Sequence, residues 1–491
     1  MKKKLLILTC SVLVAGQSLL PSSVKAGVKE QEELTVVIDE INKKNEELDA
    51  PIDSIDRFCY NYKNSKPKVT KKDNSLMWED YDRKNILPKF TVYAAKKEVH
   101  WLFRLLRSQY GLYTYYGGDA KFEKAEKLIL KDVGSKGMIS AKKYQKLLHK
   151  HLGFITDEHL AIGEQIFGTD VRLFSNETEH YIKSGEKYFS KDDPQNAIVE
   201  INGKQPEKYL KRAIDENGRL TYYPYARLKQ KEDICSYILK YENGDTKSVS
   251  LKPAKYSYKK DLDRMYGYDK YDNAGYVEIN EAFMEEDFPK ERKRLLKDVS
   301  DMKKQENLII DLRNNPGGDG TLVDEWFYRY TGKQLLPNYS TLRIRPVWIS
   351  DAKELREMDA FADETGLEKS GKYYYRQYPG HQYLENGDRQ IFVLTSAHTC
   401  SAAEAMTDAL KNIENTVVIG TNTGGVLLNM ANYSLAMPYS GLLLQFGEAM
   451  QYFDPSYFQE SYGLEPDIYL TGKNLNKRLE TFFELYVDGL N

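Results

Sequence analysis

The stretch Ile391–Asn412, IFVLTSAHTCSAAEAMTDALKN, constrains the fold more than any other part of the chain. Ile391–Leu394 is a short apolar run of strand type, and Ala402–Leu410 is made of helix formers. Small and polar residues lie between, with Ser401 where the strand gives way to the helix. A hydroxyl there meets unpaired N–H groups and the positive end of the helix dipole, which favour developing negative charge. That suits a nucleophile. The same serine also reads as a plain helix cap, because Ser401-x-x-Glu404 fits a capping box.

Strands and helices alternate around this unit. Ala274–Asn280, Leu308–Leu312, Gln390–Thr395 and Thr416–Ile419 read as strands, and Asp287–Lys304, Leu322–Tyr330 and Ser401–Asn412 as helices. Ser440–Phe446 and Asp467–Leu470 complete the set. The alternation predicts a largely parallel, layered α/β core over residues 263–491. Upstream, Lys29–Leu48 reads as a charged amphipathic helix, and Asp49–Lys89, broken by Pro51, Pro67 and Pro88, as a connection. Thr91–Gln109, Ala120–Asp132 and Ser140–Leu152 carry apolar residues at helical spacing, the last capped by Ser140. Residues 27–165 are therefore expected to form a helical N-terminal domain ending in Asp157-Glu158-His159-Leu160. Residues 166–262 change to short strands and turns. Ala197–Ile201 leads into the Asn202-Gly203-Lys204 turn, Pro206–Ile214 reads as a short helix, and Ser236–Tyr241 with Thr246–Leu251 as a hairpin.

Residues 1–26 do not belong to the fold. Lys2–Lys4, the apolar Leu5–Leu20 and the small-residue pattern around Val24-Lys25-Ala26 predict a signal peptide cleaved after Ala26, with a retained anchor as the rival. Cys10 lacks small residues just before it, which disfavours a lipoprotein anchor. Without Lys2, Lys3, Lys4 and Lys25, 67 basic residues face 73 acidic ones, a net charge of −6. That excludes a nucleic-acid partner as the natural reading. Cys59, Cys235 and Cys400 are too few and too widely spaced for a disulfide framework or a zinc site. An exported, extracytoplasmic protein is expected, peripheral association with a cell envelope being compatible, with neither metal nor organic cofactor.

A serine nucleophile needs a base, a group that orients the base, and donors for the oxyanion. The chain has seven histidines. His100, His149 and His151 fall in helical runs; His180 and His381 lie among polar loop residues without a partner; His398 is close to Ser401 but implies no third group. His159 follows an acidic pair where two expected domains join, a natural place for a cleft. The second strong signal is Asp311–Gly318, where a buried strand ends in Asn-Pro-Gly-Gly. Such a turn lets backbone N–H groups approach a ligand, or is simply a tight turn.

Leu308–Gly318 (LIIDLRNNPGG), Thr399–Glu404 (TCSAAE) and Gly463–Ile468 (GLEPDI) occur in the order found in the C-terminal processing peptidases, or tail-specific proteases, and Asn273–Phe283 (NAGYVEINEAF) resembles a further strand of that family. The resemblance spans roughly Gly275–Leu470 and implies a serine peptidase with an α/β core, a helical N-terminal part and often an inserted PDZ domain. The VEINGK run makes 166–262 resemble a degenerate PDZ domain without a clear carboxylate-binding loop. Thr421–Val426 (TNTGGV) lacks the lysine of the family's Ser–Lys dyad. The chain is instead similar to the tricorn-like branch, which takes its base from a D-G-H-[ST] motif and its orienting glutamate from E-x-x-G-x-x-P-D. Asp157–Leu160 matches the first imperfectly, with Glu158 for glycine and Leu160 after the histidine; Glu460–Asp467 matches the second in full.

The resemblance thus implies Ser401 as nucleophile, His159 as general base and Glu460 as its orienting carboxylate. The oxyanion donors would be the amides of Ala402 and of Gly317 or Gly318. Cys400, beside the serine, reads as a small packed side chain. The implied partners are protein or peptide substrates. The rival readings are a non-catalytic peptide-binding scaffold on the same fold, and an esterase, which lacks its G-x-S-x-G elbow here.

Overall fold

Four strands that read as apolar runs in the sequence lie side by side and parallel: Ala274–Ile279, Asn307–Asp311, Gln390–Thr395 and Thr416–Gly420. The computed structural model describes residues 28–48, 54–60, 86–229, 235–256, 265–271, 274–281, 289–345, 356, 358–360, 362–363 and 366–487. The expected signal peptide and most of the expected 49–89 connection lie outside them. Ile468–Tyr469 extends the parallel row, and Tyr266–Lys270 edges it antiparallel. Because both faces of these strands are apolar, both must be covered. Helices Pro289–Met302, Thr321–Thr331 and Ala402–Leu410 cover one face through Leu295, Leu322, Trp326 and Met406. Helices Val28–Glu46 and Leu475–Tyr486 cover the other. This is the layered α/β core the sequence predicts.

Some assignments change. The helix Val28–Glu46, grouped by sequence with the helical domain, packs Leu34, Val37, Ile38 and Ile41 against Tyr276, Phe392 and Phe483 of the core. An amphipathic stripe says that a helix must bury one face, not against what. The short helix expected at Pro206–Ile214 is one 3-10 turn, Pro206–Lys208, followed by the strand Leu210–Ile214. That strand pairs with Leu220–Leu228, and Ala213 lies parallel to Tyr469, so tertiary pairing overrides local propensity.

The β-rich unit closes on itself. From Leu220–Leu228 the pairing runs through Arg172–Ser175, Thr246–Pro253, Cys235–Tyr241, Asp193–Ile201, Lys187–Ser190 and Tyr181–Ser184, then back through Tyr181 to Tyr222. Phe174, Tyr181, Ile198, Leu239 and Leu251 fill it. Among the described residues of this ring no α-helix occurs. The tight turn after Ile201 is as expected, with Asn202 and Gly203 both at positive φ (50° and 72°).

A second sheet escaped the sequence reading, and it takes the strand expected at Ser440–Phe446 out of the parallel core and into antiparallel pairing. Glu368–Ser370, Tyr373–Arg376, Ser340–Ile344, Leu443–Tyr452, Ala161–Ile162 and Gln165–Ile166 lie in that order, with Asn429–Ala436 also on Leu443–Tyr452. Helices Val92–Gln109, Gly118–Val133 and Ala141–Leu152 pack on it, sharing one core with Leu342, Leu444, Phe446 and Met450. The pairing of Ala161–Ile162 with Leu444–Gln445 therefore anchors the chain just past His159. Among the described residues no helix is long and apolar enough to cross a membrane.

Candidate active site

Ser401 stands between the strand Gln390–Thr395 and the helix Ala402–Leu410 at φ 52°, ψ −120°. Among the described residues five non-glycines have positive φ; three are asparagines, which tolerate it, and the other two are Ser401 and Ser461. Strain of this kind costs about 1–3 kcal/mol and collects at functional sites. Ser401 and Glu404 occupy capping-box positions at the start of that helix. The Ser401 amide donates to Glu404 Oε2 at 2.9 Å.

The Asn-Pro-Gly-Gly turn is laced to this serine. The Thr399 hydroxyl donates to the Leu312 carbonyl at 2.8 Å, the Ser396 hydroxyl to the Arg313 carbonyl at 2.5 Å, and the Cys400 amide to the Asn315 carbonyl at 3.0 Å. Gly317, at φ 104°, is seated so closely that a Cβ there would lie 2.7 Å from Ser401 Cβ and 3.2 Å from the Ala402 nitrogen. The Gly317 amide itself donates to Asn315 Oδ1 at 2.9 Å. That bond commits it to the turn and leaves Gly318, with Ala402, as the candidate oxyanion donors.

Glu404 is the hub that sequence reasoning treated only as a cap. It is fully buried and accepts four hydrogen bonds: from Ser401, from the Thr423 hydroxyl (2.6 Å), and from the Gly425 and Val426 amides (2.8 and 2.7 Å). Burial pushes its carboxyl up to about 7, against the pull of those donors. The bonds hold Thr421–Val426 against the nucleophile helix. At Gly425 (φ 84°) an added Cβ would lie 2.7 Å from the Ser461 and Gly463 backbone, so no side chain of any kind fits.

His159 is 7% exposed, and its amide donates to Asp157 Oδ1 at 2.9 Å. Asp157 Oδ2 accepts the Tyr110 hydroxyl (2.7 Å) and Asn429 Nδ2 (2.6 Å). Burial lowers the imidazole below its ordinary value, Asp157 opposing, so the neutral base is favoured. Its Nδ1 is buried without a hydrogen-bond partner. Glu460 is close in the fold but not bonded to that ring: its carboxylate accepts the Leu428 amide (3.0 Å) and the Glu158 amide (3.4 Å). Burial, then Asp157, raises its carboxyl well above the ordinary range. No hydrogen bond joins the three side chains of Ser401, His159 and Glu460 in this state. The segments that carry them do meet, since Glu158, Ala397, Gly424 and Ser461 line one cavity.

Cys400 is mostly buried, with burial as the chief cause of a raised thiol, followed by Glu404, Glu158 and Glu460. A thiol held protonated is a poor nucleophile. His398 is exposed on the turn.

Residues 273–470 match the model of peptidase family S41. The chain is 23% identical over 277 residues to the "Probable CtpA-like serine protease" of Staphylococcus aureus (strain N315), covering 56% of this chain and 46% of that protein. The chain thus spans about half the length of the curated relatives it matches. Among solved structures it is similar to mature CPAF complexed with lactacystin (TM-score 0.40, 14% identity, 80% of this chain and 97% of that one). It is also similar to the photosystem II D1 C-terminal processing protease (TM-score 0.35, 13% identity, 77% and 92%). Ser401, Gly317, Gly318, Ala402, Glu404 and Glu460 lie inside the S41 segment, and His159 lies upstream of it.

Proposed function

We propose that this chain is an exported serine endopeptidase that hydrolyses peptide bonds through an acyl-enzyme on Ser401. One observation carries the reading: the strained Ser401 is pressed against the Gly317 turn, which aligns a hydroxyl, a helix N-terminus and a glycine-rich loop on one small volume. In this mechanism Ser401 Oγ attacks the scissile carbonyl and its proton passes to His159. The Ala402 and Gly318 amides take the oxyanion, His159 then protonates the leaving amine, and water releases the acyl group. Glu460 orients the imidazole once substrate closes the cleft, since catalytic hydrogen bonds are commonly long before substrate binds. The tricorn-like Ser-His-Glu arrangement rests on the Glu460–Asp467 motif and the neutral, buried imidazole.

Ser401→Ala is expected to abolish peptide hydrolysis in a folded protein, and a fluorophosphonate probe to label Ser401 in the parent. Full activity in that variant ends the assignment. The absence of a bond between His159 and Glu460 favours one second reading, a non-catalytic peptide binder on the same fold. It predicts peptide binding with no probe labelling. Export rests on the Met1–Ala26 pattern, and N-terminal sequencing of protein recovered outside the cell tests it.

A further inference from the structure

We propose that Asn429 is a positioning residue for the base: with Tyr110 it holds the Asp157 carboxylate as the fixed anion that answers the His159 imidazolium; it rests on the reading of His159 as base. Asp157 is fully buried where three elements meet. Its Oδ1 accepts the His159 amide at 2.9 Å, and its Oδ2 accepts the Tyr110 hydroxyl at 2.7 Å and Asn429 Nδ2 at 2.6 Å. Tyr110 follows the helix Val92–Gln109, and Asn429 opens the strand Asn429–Ala436. The two donors are tied together. The Gly111 amide donates to the Gly447 carbonyl at 2.9 Å, and Gly447 seats the Asn429 side chain so closely that no Cβ fits there. Asn429 Oδ1 is buried with no hydrogen-bond partner. A buried carbonyl left without a donor costs stability, so packing alone does not account for this amide. Its nitrogen, on Asp157, does.

When Ser401 Oγ passes its proton to His159, a cation forms on a side chain 7% exposed. A buried cation needs an anion nearby. Glu460 does not supply one in this state, because it accepts the Leu428 and Glu158 amides, and burial, then Asp157, raises its carboxyl well above the ordinary range. Three donors surround the Asp157 carboxylate, an arrangement that favours the anion. Burial lowers the imidazole and Asp157 opposes it. The other titratable or charged groups of this region are Glu158, Glu404, Tyr115, Tyr116 and Arg227, and among the described residues none hydrogen-bonds the ring. No proton reaches Asp157 in the step; its charge stays fixed while the ring becomes positive.

The test follows the His159 ring by NMR, its signal identified as the one lost in His159→Gln. In Asp157→Asn the ring is expected to titrate at still lower pH than in the parent, because the opposing charge is gone. A purely structural role predicts the reverse, since a loosened pocket admits water and returns the ring toward its ordinary 6.5. An unmoved or raised titration in a folded Asp157→Asn overturns the assignment. Asn429→Leu is expected to move the titration in the parent but not in the Asp157→Asn background, and to lower kcat about tenfold at unchanged KM. An equal shift in both backgrounds removes Asn429 from this role. If Asp157→Asn does not fold, Tyr110→Phe replaces it in the cycle: coupled shifts support the clamp, and additive ones overturn it. The titration needs no turnover, so a failed Ser401 assignment leaves it standing.

Discussion

Glu404 can be tested without touching the nucleophile. Each carboxylate oxygen accepts two of the four donors, so Glu404→Gln turns an amide N–H₂ toward two of them. An unsatisfied buried group of that kind costs about 1–3 kcal/mol, readable as a lowered urea midpoint. The pH dependence has a definite sign. With the folded carboxyl at about 7 against an ordinary 4.5, the folded state binds more protons in that window. Stability should fall as pH rises from 4.5 to about 7 and level off above, and Glu404→Gln should flatten that slope relative to the parent. A steeper slope in the variant contradicts the account. For His159 the direction is opposite in kind: burial lowers the imidazole below 6.5, so the acid limb of kcat/KM should lie below that pH. His159→Ala should lower turnover by several orders of magnitude, whereas Cys400→Ala should leave most of it. The reverse pair of results moves the nucleophile to the thiol. That Ser401 stands where either a cap or a nucleophile fits was legible from its neighbours. The positive φ was not, because serine carries no local sign of a conformation that tertiary contacts impose.

At the scale of elements, the turn Asn314–Gly318 is the part most exposed to test. Gly317→Ala adds a Cβ at φ 104°, where left-handed backbone costs an L-residue about 1–2 kcal/mol, and drives it against Ser401. The protein should stay folded while kcat falls roughly 10²–10³-fold, the scale of a lost oxyanion donor, because the displaced turn carries the Gly318 amide with it. Unchanged kcat in a folded variant removes this turn from the site. The core strands were readable because each is a short apolar run buried on both faces. Tyr373–Arg376 and Asn429–Ala436 were not, because tyrosine-rich or mixed polar strands become strands only once long-range partners supply the pairing.

Across the whole molecule, the helix Val28–Glu46 ties the start of the described chain to the core and to the helix Leu475–Tyr486. Ile38→Ala should cost about 2–5 kcal/mol and shift global urea unfolding, not merely fray one helix. Hydrogen exchange confined to residues 28–46 would show the helix to be an independent appendage. What the sequence determined by itself was local and periodic: strand–turn–helix around Ser401, the diglycine corner, the parallel core and the candidate residues 159, 401 and 460. Tertiary structure alone decided that the β-rich unit closes into a ring, that the helices share a core with a second sheet, and that Gly317 rather than Gly318 spends its amide inside the turn. Those outcomes depend on which distant backbones meet, and pairing over hundreds of residues leaves no period in the chain to read.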